Sequence, residues 1–223
     1  MYIVSTPIGN LADITLRALT VLKEVDWIAC EDTRRTGLLL SHYQIKNRLI
    51  SYHEYNKRER TAEILELLRQ GKRVALVSDA GTPGISDPGF YLIRAAIENN
   101  LRVIPIPGPS AILAGIVISG LPSDRFAFEG FLPKREGRKR KKLEELKFEK
   151  RTMIFYDSPN RVLKTLNTML EIFADRRIVI VRELTKKFEE TIRGKISEVI
   201  EILAKRKLKG EIVLIVEGYA GRV

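Results

Sequence analysis

Cysteine is nearly absent from this chain. Cys30 stands alone among 223 residues, which excludes an intrachain disulfide and a cysteine-based zinc cluster. Histidine is almost as scarce. His42 and His53 lack metal-ligand spacing, so no metal is expected. No apolar run approaches the ~18 residues of a membrane-spanning helix. The opening Met-Tyr-Ile-Val-Ser-Thr-Pro also lacks the basic and apolar regions of a secretory signal. These absences give the expectation of a cytoplasmic protein with no membrane partner. Acidic residues are outnumbered too, 28 Asp and Glu against 39 Lys and Arg, for a formal charge of +11. Thermophile-type enrichment raises both signs together; an excess of one sign suits a polyanionic partner, most simply nucleic acid.

The chain length suits one large domain or two small ones sharing a cleft. In the first half, Tyr2–Val4, Trp27–Cys30, Leu49–Tyr52, Val74–Val77 and Val103–Ile106 read as five strands. Helix stripes lie between them. One runs through Leu16, Leu19, Leu22 and Val25 with Asp13 or Thr15 as its cap; others run through Ala62, Leu65 and Leu68 to Gly71, and from Phe90 to Ile97. This alternation predicts a mostly parallel, doubly wound α/β sheet over residues 1–110. From Ala111 the pattern changes to an apolar helix, Ala111–Ile118. It is followed by strands at Phe126–Phe128, Thr152–Tyr156, Ile178–Val181, Thr191–Arg193 and Ile212–Val216. With helices at Arg138–Leu146, Val162–Phe173 and Ile196–Ala204, residues 111–223 read as a second α/β domain with a mixed sheet.

Three strands of the first half run into glycine-proline loops. They are Thr6-Pro7-Ile8-Gly9-Asn10, the twelve residues Ser78–Gly89, and Pro107-Gly108-Pro109-Ser110. Any one of these is a turn. Three at the carboxyl edge of one parallel sheet converge on the crevice where such sheets bind ligands. No two glycines are separated by one residue, so G-x-G-x-x-G is absent, and Phe90 follows the Gly84/Gly89 pair where a P-loop needs Lys. The loops therefore suit a ligand with a ribose, a purine and a small charged tail better than a pyrophosphate.

Between Lys134 and Lys142, seven of nine residues are basic: Lys134, Arg135, Arg138, Lys139, Arg140, Lys141 and Lys142. An isolated run of this kind is usually a solvated helix face. Here it follows Glu129-Gly130-Phe131-Leu132-Pro133 at an expected cleft edge, which favours phosphate contact, and Gly137 suggests a mobile arm that orders on binding. Arg34, Arg35, Lys186 and Lys187 extend the expected track.

Several collinear segments now carry a resemblance. Thr6–Thr15 (Thr-Pro-Ile-Gly-Asn-Leu-Ala-Asp-Ile-Thr), Glu31-Asp32-Thr33-Arg34, Ser78–Gly89 and Pro107–Ala111 belong to it. So do Glu129–Pro133, Phe155-Tyr156-Asp157-Ser158-Pro159 and Arg182–Lys187. Together they resemble the tetrapyrrole methylase superfamily of S-adenosylmethionine-dependent methyltransferases. Within it they are most similar to the branch that methylates a cytidine ribose 2′-hydroxyl in small-subunit ribosomal RNA. Arg35 and Asn160 stand where many members have His, which weighs against acid–base work at those positions. The chain ends soon after Glu217-Gly218, so the extension some members carry is expected to be dispensable for the core activity.

The resemblance implies two α/β domains with the methyl donor, S-adenosylmethionine, bent in the cleft between them, in a homodimer acting on small-subunit RNA or the 30S particle. Donor contacts then fall at Ile8, Gly81, Thr82, Ile85, Ser110 and Ala111, and in the second domain near Tyr156, Leu184 and Ile212. A ribose hydroxyl is a weak acid, so a general base would help; Asp79, Glu129 and Asp32 are the first candidates, ahead of Glu54 and Asp157. Each has a plainer role. Asp79 lies in a turn where Asp often bonds its own backbone. Glu31 and Asp32 stand at a strand end where a helix cap is needed, a role that suits Glu31 better than catalysis, and Asp32 could instead orient Arg34 and Arg35. Two rival functions remain at this level: methylation of a tetrapyrrole carbon, and a non-catalytic RNA-binding ribosome assembly factor.

Overall fold

Strands that are apolar on both faces need helices above and below them. The structure is a computed structural model that describes residues 1–221. Its chain divides into two units, Met1–Ser110 and Ala111–Val223. In the first, strands β1 (Tyr2–Val4), β2 (Trp27–Cys30), β3 (Leu49–Ser51), β4 (Val74–Leu76) and β5 (Ile104–Ile106) form one sheet in the order β3-β2-β4-β1-β5. All its pairings are parallel.

Successive strand residues enter opposite cores. Ile3, Ala29, Val74 and Leu76 face one side, where they join Ile64 and Leu65 of α3 (Lys57–Arg69) and Leu92 and Ala96 of α4 (Gly89–Glu98). Val4, Ile28, Cys30, Ala75 and Val77 face the other, with Ala18 and Leu22 of α1 (Leu16–Glu24) and Leu40 of α2 (Thr33–His42). The expected doubly wound sheet is therefore present, with strand ends shifted by about a residue. Thr15, not Asp13, caps α1 by accepting the Ala18 N–H at 3.1 Å. Beyond α3, Gly71 adopts φ 78°, and the N–H groups of Gly71 and Lys72 return to Leu68 and Leu67.

The second unit starts with α5 (Ala111–Ser119). Strands β6 (Phe126–Phe131), β7 (Thr152–Asp157), β8 (Arg177–Arg182), β9 (Glu190–Lys195) and β10 (Ile212–Val216) form a mixed sheet in the order β6-β7-β10-β8-β9. Only the β6–β7 pair is parallel. One face packs on α6 (Glu136–Glu145), α7 (Val162–Phe173) and α8 (Ile196–Ala204), around Phe155, Leu166, Ile180, Val199 and Leu214. On the other face Gly115 of α5 approaches so closely that an added Cβ would lie 3.2 Å from Ile215.

Gly137 lies inside the first turn of α6, and Leu143 buries completely in the core, so the expected mobile arm is an anchored amphipathic helix. Among the described residues no helix is long and apolar enough to cross a membrane.

Candidate active site

The carboxyl ends of β4, β1 and β5 are neighbours in the first sheet, and their three loops are tied together there. Thr6 and Gly81 exchange both backbone hydrogen bonds, at 2.9 and 3.0 Å. The Thr82 hydroxyl donates to the Pro109 carbonyl at 3.3 Å, which leaves the Ser5 hydroxyl to donate to Thr82 at 2.9 Å. Gly81 sits at φ 85°, and a Cβ there would touch Ile8. Asp87 closes the long loop by accepting the N–H groups of Gly84 and Gly89 at 2.8 and 2.7 Å. A Cβ on Gly89 would lie 2.8 Å from that carboxylate and 2.9 Å from the Gly84 nitrogen, so only glycine fits. Ile8, Gly81, Thr82, Ile85 and Ser110 thus share one edge. Ile8 is buried and Ile85 exposed, which offers apolar surface beside backbone polar groups. That combination fits a nucleoside with a small polar tail.

Beside this edge stand three carboxylates with distinct duties. Asp32 is the cap of α2: its Oδ1 accepts the Arg34 N–H at 2.9 Å, and its carboxylate pairs with the Arg34 guanidinium at 2.8 Å. The guanidinium first, then that N–H, hold its carboxyl far below the usual carboxylate range, which makes Asp32 a poor proton acceptor. Asp79 accepts the Asp32 N–H at 3.1 Å through Oδ1 and meets Arg35 at 3.3 Å through Oδ2, with a quarter of its side chain exposed. Glu31, for which sequence favours a capping role over catalysis, is not the cap. It is half-buried, and burial pushes its carboxyl up, with the nearby Asp87 and Asp79 charges adding to the effect. Glu31 is the titratable residue that sequence reasoning undervalued. The signal lay in its position, one residue beyond a strand whose last three residues are buried.

In the second unit, Tyr156, Leu184 and Ile212 gather at one end of the sheet. Ile212 pairs with Asp157, the residue after Tyr156, and with Arg182, two residues before Leu184. Phe128 and Phe131 pack on the Tyr156 ring at 5.0 and 5.4 Å between centroids. Burial pushes the Tyr156 phenol up to about 12, so it stays neutral at ordinary pH. Leu184 is flanked by Glu183 at φ 52° and Thr185 at φ 64°, two left-handed residues that stiffen the turn presenting it. Ala111 opens α5 and is partly buried.

Glu129 lies at a register shift in β6 between Phe128 and Gly130, where the extra residue re-aims its side chain. It pairs with Lys142 at 2.7 Å and is 17% exposed. Asp157 is buried, accepting the Ser158 N–H and facing Arg161, while exposed Glu54 pairs with Lys57.

The basic run divides into two sets. Lys139 is only 5% exposed and pairs at 2.9 Å with Glu136, which also accepts the Thr168 hydroxyl. Its inclusion in an exposed track is therefore corrected, because α6 turns this residue onto α7. Arg140 pairs with Glu171, and Lys142 with Glu129. Lys134, Arg135, Arg138 and Lys141 remain exposed, with no ion pair among the described residues. Lys186 is held between Glu183 and Glu211, whereas Lys187 is exposed.

No group of three or more His, Cys, Asp or Glu among the described residues could hold a metal ion. An open depression of about 600 Å³ lies at the opposite edge of the first sheet, lined by Asp26, Trp27, Lys46, Asn47, Arg48 and Lys72. It is far from the tied loops in the topology, and the geometry above gives it no part in the site.

A doubly wound unit with three tied glycine-rich loops at its carboxyl edge, followed by a mixed-sheet α/β unit, defines a two-domain α/β class. The model for Tetrapyrrole (Corrin/Porphyrin) Methylases matches residues 1–200, and the chain belongs to that family. It is 50% identical over 218 residues to the Ribosomal RNA small subunit methyltransferase I of Thermotoga maritima, covering 98% of each chain. Against the protein of the same name from Halalkalibacterium halodurans, identity is 48% over 223 residues, covering all of this chain and 77% of that one. Among solved structures, the methyltransferase CobJ aligns with TM-score 0.71 at 18% identity, over 100% of this chain and 95% of that one. Uroporphyrin-III C-methyl transferase from Thermus thermophilus, complexed with S-adenyl homocysteine, aligns with TM-score 0.66 at 20% identity over 97% and 96%. These two show a shared fold.

Proposed function

We propose that this chain is an S-adenosylmethionine-dependent methyltransferase that methylates the ribose 2′-hydroxyl of a decoding-region cytidine in small-subunit (16S) ribosomal RNA. It acts as a cytoplasmic homodimer on the RNA or the 30S particle, without a metal. One observation carries the reading. Identity to proteins named Ribosomal RNA small subunit methyltransferase I is 48–50% over essentially the whole chain, against 18–20% for the tetrapyrrole enzymes of the same fold. The charge of +11 supports a polyanionic substrate.

When bound, S-adenosylmethionine supplies a methyl group already activated on a sulfonium. In the proposed site Ile8, Gly81, Thr82, Ile85 and Ser110 hold it on the first unit, with Ala111, Tyr156, Leu184 and Ile212 as its contacts on the second. Thr82 is fixed by its bonds to Ser5 and Pro109, so its donor-facing backbone is set before binding. The protein's main contribution is alignment of the attacking hydroxyl, which can supply about 7–11 kcal/mol. Asp79 is the proposed proton acceptor. It belongs to the same loop as Gly81 and Thr82, whereas both oxygens of Asp32 are taken by the Arg34 guanidinium and Glu129 serves Lys142. As the new O–C bond forms and the C–S bond breaks, the hydroxyl proton passes to Asp79. Arg34 and Arg35, oriented by Asp32 and Asp79, meet substrate phosphates.

The test offers labelled S-adenosylmethionine with 30S particles lacking the modification and, separately, with a porphyrinogen. Label in 2′-O-methylcytidine, found by nucleoside mass mapping, is expected. Labelled porphyrinogen with unlabelled RNA would overturn the proposal in favour of the tetrapyrrole reaction. Failure to bind the donor at all would favour a non-catalytic assembly factor.

A further inference from the structure

The loops after β3 and β4 present aromatic side chains that neither the donor site nor the basic run uses. Tyr55 is 96% exposed, and Phe90 and Tyr91, in the first turn of α4, are 62% and 42% exposed. They stand at the same carboxyl edge of the sheet, Tyr55 in the turn between β3 and α3, and Phe90 and Tyr91 at the start of α4, which follows β4 through the Ser78–Gly89 loop. The Tyr52 hydroxyl reaches the Pro88 carbonyl at 3.4 Å, and the Lys57 ammonium lies 5.8 Å from the centre of the Tyr91 ring. Both contacts join the two segments.

The turn carrying Tyr55 is held in shape before any partner arrives. Asn56 accepts the His53 N–H at 2.8 Å, donates to the Ser51 carbonyl at 3.1 Å, and its own N–H returns to the His53 carbonyl at 3.1 Å. The ring is thus offered to solvent by a clipped turn, with the His53 ring edge-on at 6.1 Å. Cations lie at the helix starts along this edge. Lys57 and exposed Arg58 open α3, and exposed Arg34 and Arg35 lie in the first turn of α2, the helix that follows the neighbouring strand β2. Single exposed aromatics are ordinary. A preset aromatic group with cations beside it, on the sheet edge that also carries the proposed acceptor Asp79, is an arrangement that stacks unpaired bases while neutralising phosphates.

We propose that Tyr55, with Phe90 and Tyr91, is a stacking platform for bases flanking the methylated nucleotide in single-stranded RNA. This rests on the RNA methyltransferase reading above and extends it to how the substrate strand is positioned. A self-association surface would call for a contiguous apolar patch. Instead, Tyr55 has a histidine ring and charged residues around it.

The test measures affinity for 30S particles lacking the modification, with Tyr55→Ala and Tyr55→Phe, alongside donor affinity and sedimentation. Tyr55→Ala is expected to weaken RNA binding about 5- to 150-fold. Tyr55→Phe should retain it. The salt dependence should keep its slope, because stacking releases no counterions, and donor affinity should not move. Unchanged RNA affinity in Tyr55→Ala overturns the platform alone, and a shift from dimer to monomer with intact RNA affinity overturns it in favour of a self-association surface. If the wild-type protein neither binds nor methylates the particles, the platform falls together with the functional reading.

Discussion

The proposed donor edge of the first unit and the basic run of the second are built by opposite means. At the donor edge the work is done by backbone. Gly81 holds φ 85°, Gly89 has no room for a Cβ, and Thr6 and Gly81 exchange main-chain hydrogen bonds. Side chains there mostly brace the loops, as Thr82 and Asp87 do. In the basic run the proposed phosphate contacts rest on long, solvated side chains, and three of the seven cations are spent on internal pairs. The first kind of site tolerates almost no substitution at its glycines. The second should lose strength one charge at a time.

The sharpest way to separate chemistry from both kinds of binding is Asp79→Asn. The amide can still accept the Asp32 N–H, so the loop should persist. The expected loss is about 10²–10⁴ in kcat, the usual worth of a general base, with donor affinity unchanged. Single-turnover rates measure it; an unaltered kcat would leave catalysis to alignment alone.

Next in size is the combined replacement of Lys134, Arg135, Arg138 and Lys141 by Ala. Losing four phosphate contacts should cut the slope of log affinity against log salt by roughly 3. By contrast, Lys139→Met should leave that slope alone, because its ammonium is buried against Glu136. A filter-binding series in salt distinguishes the two. Equal slopes for Lys139→Met and the quadruple variant would show that burial in α6 does not decide which cations meet RNA.

A smaller effect is expected at Glu31. Its carboxyl is pushed up by burial, so the folded state binds that proton more tightly than the unfolded chain does. The wild type then loses stability as pH rises from the usual carboxylate range through the raised folded-state pKa. Glu31→Gln escapes that loss. It should be more stable than wild type at neutral pH, with the advantage vanishing at acid pH where Glu31 is protonated. Thermal melts across pH give the comparison; an advantage that grows toward acid pH would contradict it.

How legible these features are in sequence follows the same division. The strands can be read because runs such as Val74–Leu76 are buried on both faces and leave no polar position to confuse the period. Helix α2 leaves no apolar stripe, since its buried positions are Thr36 and Leu40 while Leu38 is 73% exposed. The convergence of the three loops is legible because glycine and proline mark strand ends wherever they occur. Charge is legible as a run, but the inward turn of Lys139 depends on Thr168, far along the chain on α7. Likewise Glu31 and Asp32 are adjacent acids, and only the start of α2 decides which one caps it.

The central claim is that donor binding belongs to the glycine-loop edge and is independent of the exposed cations. Calorimetric titration of S-adenosylmethionine into wild type, Gly81→Val and the quadruple basic variant tests it most directly. A β-branched residue cannot hold φ 85° without strain, so Gly81→Val should lose donor binding, while the quadruple variant should bind as wild type does. Full donor affinity in Gly81→Val, or its loss in the quadruple variant, would contradict the account.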